Sequence, residues 1–431
     1  MKKLLLLISS SVLLSCHNSS KTESSKVNNA TLIVATEGQI FNFNLDENTI
    51  TWHYKNPIDS AGNRNLFAVD GQNIFMPFES GKFINFDINT GKIIWQQQIY
   101  GNEHQPSDMS NNGNSEAERL HSLMPLLMTK PLVDGQNILI TSTIQPTQSN
   151  RAWLYNFNRA NGSKKWLSEL PTVYNYFAPV KYRNSYFVNS AVFLEKLAAE
   201  NGVNTSYGMF DGDVEIAGQP QQHNEVNQFE HPIYTPMQSD GDHLFIGSET
   251  GKFYALKLDK DGNIPDGDIS DPNNTFIKNP KVFAWTFSDK NFTFQRNNIL
   301  FLEDGTLYTE IMNSVGTEAC FFAINADDGT LKWKKLVQAD VQNWALTGDI
   351  IIGNTENSIF YMNTDGKNFT EVNMKSKPLS NIERVDKTHF VYVTQKGVEI
   401  FDTNTKTAKL AISKAFNPNE YNNVQVQYIS K

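Results

Sequence analysis

Apolar residues in this chain come in short runs that turn signals interrupt at regular intervals. Between Val69 and Trp95 the runs cover residues 74–78, 83–88 and 93–95. The interruptions are Asp70-Gly71, Ser80-Gly81 and Asn89-Thr90-Gly91. Runs of this length are strands rather than helices. The glycines supply the positive φ that tight hairpins need. Strands joined by such turns form an antiparallel meander.

The unit returns along the chain. Val133-Asp134-Gly135-Gln136-Asn137-Ile138 repeats Val69-Asp70-Gly71-Gln72-Asn73-Ile74 letter for letter, and Glu249-Thr250-Gly251-Lys252-Phe253 echoes Glu79-Ser80-Gly81-Lys82-Phe83. Gly91, Gly162 and Gly329 each stand four positions before a tryptophan: Trp95, Trp166 and Trp333. A four-stranded unit recurring at roughly 40–50 residues predicts an all-β fold, a β-propeller of four-stranded antiparallel blades.

Eight blades are expected, with strands lettered A to D. Blade 1 has strands at 31–35, 39–44 and 50–53 and lacks a preceding strand A. Blade 2 begins with its strand A at 66–69. Blade 3 spans 126–166. Blade 4 is the most degenerate, with strands placed near 177, at 186–189 and at 214–217. Blades 5 to 8 span 233–285, 299–337, 343–374 and 382–412. Val424, Val426 and Tyr428 then alternate with Gln425 and Gln427. This last strand is expected to supply strand A of blade 1 and close the ring, since an open ring leaves sheet edges and apolar faces uncovered. A bulky, flat tryptophan at the end of strand D suits the wedge between neighbouring blades.

The start of the chain follows a different pattern. Lys2-Lys3 precedes an apolar core at 4–14, too short to cross a bilayer. Leu13-Leu14-Ser15-Cys16 has the form of a lipobox, the signal that directs lipid, palmitate included, onto the cysteine thiol. Residues 1–15 therefore read as a lipoprotein signal peptide, with Cys16 as the lipidated residue. Residues 16–29, rich in Ser, Asn and Lys, read as a flexible tether, and residues 30–431 as the propeller. The net charge of -9 argues against nucleic acid as a partner. The second cysteine, Cys320, sits in the apolar run Ala319-Cys320-Phe321-Phe322 and is expected to be an unpaired, buried core thiol.

The repeat ending Asp87 to Trp95, of the form Asp-x-x-Thr-Gly-Lys-x-x-Trp, resembles the quinoprotein-type or PQQ-like propeller repeat, as do Asp327-Asp328-Gly329-Thr330-Leu331-Lys332-Trp333 and Thr250-Gly251-Lys252. A lipobox followed by an eight-bladed propeller of this size is similar to the BamB family, the lipoprotein subunits of the outer-membrane β-barrel assembly machinery. That resemblance implies a non-catalytic scaffold, lipid-anchored at the outer membrane and facing the periplasm. It also implies docking through surface loops onto the barrel-inserting subunit. No docking residue of the family can be placed on this sequence. Two other readings stay open: a quinoprotein dehydrogenase, and a surface lipoprotein that binds a carbohydrate or protein ligand.

Residues that would carry chemistry are sparse. Dehydrogenases resembling methanol dehydrogenase hold an adjacent cysteine pair and a calcium site, and neither grouping is found here. The eight histidines are scattered, and no pair has metal-ligand spacing on a helix. The acidic stretch 259–268, followed by Asp271, alternates oxygen side chains as a calcium loop does. However, Ile264 stands where an EF-hand needs glycine. Gly247-Ser248-Glu249-Thr250-Gly251 is not a nucleophile elbow and reads as the B–C turn of blade 5. No catalytic residue, cofactor or metal is expected.

Loops carry function on rigid scaffolds. Strands A to D run alternately up and down, so A–B and C–D loops leave one face and B–C and D–A loops leave the other. Insertions at 101–124, 144–151, 191–206 and 218–230 are all expected on the B–C/D–A face, with the acidic loop near Asp259 opposite. The first insertion carries Leu120, Leu123 and Met124 at helical spacing beside Glu118 and Arg119. These three are the candidate partner-binding residues.

Overall fold

The computed structural model describes residues 29–59, 65–99, 127, 129–142, 152–171, 175–190, 193–208, 235–264, 283–295, 297, 299–417 and 424–430. They form eight antiparallel sheets and no helix. Blade 1 takes Thr31–Thr36, Gln39–Asn44 and Thr49–Lys55 as strands B to D. Its strand A is Gln425–Ile429, which pairs antiparallel with Thr31–Thr36, Val34 opposite Val426. The expected closure is therefore present.

Blade 2 is Ala68–Asp70, Asn73–Pro77, Lys82–Asp87 and Ile93–Gln98. Blade 3 is Leu132–Asp134, Asn137–Thr141, Ala152–Asn158 and Lys164–Leu170. Blade 5 is Gln238–Ser239, His243–Gly247, Phe253–Lys257 and Phe283–Phe287. Blade 6 is Leu300–Glu303, Thr306–Asn313, Ala319–Asn325 and Leu331–Val337. It carries a fifth strand, Phe292–Phe294, on the far end of Thr306–Asn313. Blade 7 is Asn343–Thr347, Ile350–Asn354, Ser358–Asn363 and Thr370–Asn373. Blade 8 is Glu383–Arg384, His389–Thr394, Gly397–Asp402 and Thr407–Ser413.

Blade 4 differs from the expectation. Its strands are Val180–Tyr182, Ser185–Ser190, Phe193–Ala198 and Asn204–Gly208. The stretch expected to be a B–C insertion at 191–206 instead holds strand C and most of strand D. The polar pair Glu195-Lys196 breaks the apolar run in strand C, although Glu195 is itself buried. Strand D ends without a tryptophan. The strand expected at 214–217 lies outside the described residues.

Burial follows position in the blade. Strands B and C are apolar on both faces because each face meets a neighbouring blade, as in Thr31–Thr36, which is buried throughout. Strand D is half exposed, as in Thr49–Lys55, and forms the outer rim. Strands A touch one another around the axis: blade 2 meets blade 3, blade 4 meets blade 5, and blade 8 meets blade 1.

The tryptophans at the ends of strands D join blade to blade. The Trp52 indole lies over Gly91, in the C–D turn of the next blade, and its Nε1 donates to Ile88 O at 2.9 Å. Trp95 covers Gly162 and donates to Arg159 O, 2.8 Å; Trp166 covers Gly202 and donates to Ala199 O, 3.2 Å. Trp285 covers Gly329 and donates to Ala326 O, 2.8 Å; Trp333 covers Gly366 and donates to Thr364 O, 2.9 Å. A Cβ on these glycines would lie 2.5–2.9 Å from the ring, so only glycine lets the indole seat. Other groups take over where the described residues place no tryptophan. Between blades 7 and 8, Tyr361 Oη donates to Thr403 O at 3.2 Å. Between blades 4 and 5, Arg183 donates to Lys260 O at 2.6 Å.

Candidate functional site

The inner strands leave a cavity of about 290 Å³ at the axis. It is lined by Leu66 and Phe67 before strand A of blade 2, Lys130 before strand A of blade 3, Asn381 and Glu383 at the start of blade 8, and Gln425 to Gln427 of the closing strand. All lie where strands A begin. The cavity therefore opens toward the B–C/D–A face.

Asn381 organises one wall. Its Nδ2 donates to Val426 O at 2.9 Å and to Glu383 Oε1 at 2.8 Å, while its Oδ1 accepts from Val426 N at 2.8 Å. The closing strand is thus gripped on its free side by a side-chain amide. Glu383 also accepts from the Tyr428 backbone N–H, and burial raises its pKa to about 7 against the lowering effects of Lys130 and these hydrogen bonds. Lys130 lines the cavity and is solvent-exposed. The protein around it lowers its pKa, and Glu383 only partly opposes the shift. The two charges attract across the cavity, but neither a hydrogen bond nor an ion pair joins them.

Cys16, Leu120, Leu123 and Met124 lie outside the described residues. Cys320 is buried in strand C of blade 6, as expected, and burial pushes its thiol up to about 12. The segment 259–264 of the acidic stretch is a C–D turn, as expected. Asp259 Oδ1 accepts the backbone N–H of Asp261 and of Asn263, each at 2.8 Å. The Lys196 ammonium from blade 4 donates to Asp261 O at 2.8 Å and to Asn263 Oδ1 at 2.6 Å. A lysine thus supplies the positive charge that this turn attracts. Among the described residues no three His, Cys, Asp or Glu side chains are grouped to hold a metal. The axial cavity could not be read from the sequence, because its walls come from four segments far apart in the chain.

Residues 18–121 match the family model described as outer membrane protein assembly factor BamB. No curated protein sequence matches the chain. Among solved structures, BamB from Moraxella catarrhalis is similar, with 13% identity, a TM-score of 0.55 and coverage of 87% of this chain and 94% of that one. AztD from Citrobacter koseri in its apo form has 10% identity, a TM-score of 0.57 and coverage of 93% and 98%. The quinohemoprotein alcohol dehydrogenase ADHIIG from Pseudomonas putida HK5 has 11% identity, a TM-score of 0.55 and coverage of 92% and 76%. Likeness at this identity speaks to the fold.

A quinone cofactor of the dehydrogenase kind, with its anionic groups and bound divalent cation, needs several cationic side chains and a cluster of carboxylates. The described cavity offers one ammonium and one carboxylate, and this donor set does not fit. The chain is an eight-bladed β-propeller whose fold is similar to that of BamB from Moraxella catarrhalis, and its residues 18–121 match the BamB family model.

Proposed function

We propose that this protein is a non-catalytic scaffold, anchored by lipid on Cys16 to the outer membrane and facing the periplasm, which assists the assembly of β-barrel proteins as a BamB-like subunit. The observation that carries the reading is the match of residues 18–121 to the assembly-factor family. Coverage of 94% of the Moraxella catarrhalis BamB chain supports it, as does the poor fit of the axial cavity to a quinone. The work of such a scaffold falls to its loops, and the B–C/D–A face is the docking face in this reading. The test is co-purification: detergent-extracted protein should bring down the barrel-inserting subunit of the assembly machinery. Recovery of unrelated partners alone would reject the role.

Two further results are expected. Cys16→Ser should block lipidation and move the protein from the membrane fraction to the soluble one, scored by carbonate extraction and intact mass. A Ser variant that stays on the membrane would remove the anchor. Leu120→Asp with Leu123→Asp should abolish partner co-purification while the melting temperature stays within about 2 °C of wild type, a shift within the range of surface substitutions. A double variant that unfolds would instead place these leucines, with Met124, in a cap over the propeller core.

A further inference from the structure

The axial cavity holds two opposite charges that do not meet. Lys130 offers only donors and an ionised Glu383 only acceptors, and each is held by its own segment of chain. Glu383 is fixed by Asn381 and the Tyr428 backbone N–H. Lys130 makes no hydrogen bond or ion pair to any described residue. Lys130 is solvent-exposed and Glu383 partly buried, so both charges are accessible to a ligand that enters the space. A volume of about 290 Å³ is at the small end of ligand pockets, which run from about 300 to 1,000 Å³. Gln425 and Gln427 add polar lining and Leu66 and Phe67 an apolar wall.

We infer that this cavity binds a small zwitterion of the amino-acid class, its carboxylate seated on the Lys130 ammonium and its ammonium on the Glu383 carboxylate. Such a molecule can pair with both charges at once. A simple anion would leave Glu383 facing it, and a simple amine would leave Lys130. Leu66 and Phe67 suit an apolar side chain on the ligand. The inference is independent of the docking role, which belongs to the loops.

The test uses the full chain and three probes: an equimolar mixture of the twenty amino acids, propionate alone and propylamine alone. The mixture should raise the melting temperature, and mass spectrometry of the material retained after dialysis should show which amino acid is bound. Propionate and propylamine at the same concentration should have little effect. Lys130→Gln and Glu383→Gln should each weaken the bound amino acid by about 10–100-fold, the loss of a charged hydrogen-bond partner. Lys409→Gln, on the outer strand of blade 8, should leave affinity unchanged. The inference is overturned if the mixture neither stabilises nor is retained, if propionate or propylamine stabilises equally, or if both Gln variants bind undiminished. If a Gln variant fails to fold, the three-probe comparison on the wild-type protein decides the question alone.

Discussion

Deleting residues 423–431 should drop the melting temperature by more than any single substitution and send the protein toward aggregation. The deletion removes strand A of blade 1 and leaves Thr31–Thr36 with an open edge. It strips Val424 and Val426 from the cluster around Leu32, Val34, Phe41 and Val393. It also strips Ile429 from the cluster around Ile33, Ala35 and Phe78. Three buried aliphatic side chains at about 1.5–3 kcal/mol each amount to about 5–9 kcal/mol, comparable with the whole stability of an ordinary domain, about 5–15 kcal/mol. Asn381 would lose both of its bonds to Val426 as well. Scanning fluorimetry of the truncated chain, with and without a peptide of residues 424–430 in excess, checks the expectation. A truncation that melts within a few degrees of full length would mean the ring does not depend on this strand.

Gly329→Ala should cost about 2–4 kcal/mol, measured from the urea midpoint. The residue sits at φ +72, and a Cβ there would lie 2.6 Å from the Trp285 ring. The left-handed backbone accounts for about 1–2 kcal/mol, and overpacking against a buried indole for about 1–3 kcal/mol. Gly305→Ala is the control: its φ is +65 and nothing lies within 4 Å, so only the backbone cost of about 1–2 kcal/mol remains. Trp285→Ala should cost about 3–5 kcal/mol. Combining Trp285→Ala with Gly329→Ala should cost less than the sum, because the clash disappears with the ring. Strict additivity would show that the two residues do not meet.

Most of the fold could be read in the chain because blades 2, 3, 5, 6 and 7 write turns in Asp-Gly, Ser-Gly or Thr-Gly and five blades write a tryptophan into strand D. The spacing of glycine to tryptophan within a blade was visible; that each glycine serves the tryptophan of the blade before it was not. That contact is between neighbours in space and has no fixed separation in sequence. Blade 4 was misplaced for the same reason. Its Gly202 is the seat of Trp166, but no tryptophan follows it in its own strand D, and the buried Glu195 made strand C read as loop. Glu195 is tolerated there because Ser206 Oγ donates to its Oε2 at 2.6 Å and burial raises its pKa. The cavity of Lys130 and Glu383 left no local signature, since a ring brings residues 66, 130, 383 and 426 to one axis only after seven connections have been made. The expected partner-binding residues, Leu120, Leu123 and Met124, rest on helical spacing alone.

The direction of the indole contacts has a consequence for a nascent chain. Trp52, Trp95, Trp166, Trp285 and Trp333 each dock on a glycine that is translated later. While the ribosome is still at work, each of these five blades therefore holds an unseated indole until its successor is made. Blade 1 waits longest of all. Its innermost strand, Gln425–Ile429, is made after every other strand described. The growing protein is thus an arc with two unsatisfied ends until Gln425–Ile429 is made and pairs with Thr31–Thr36.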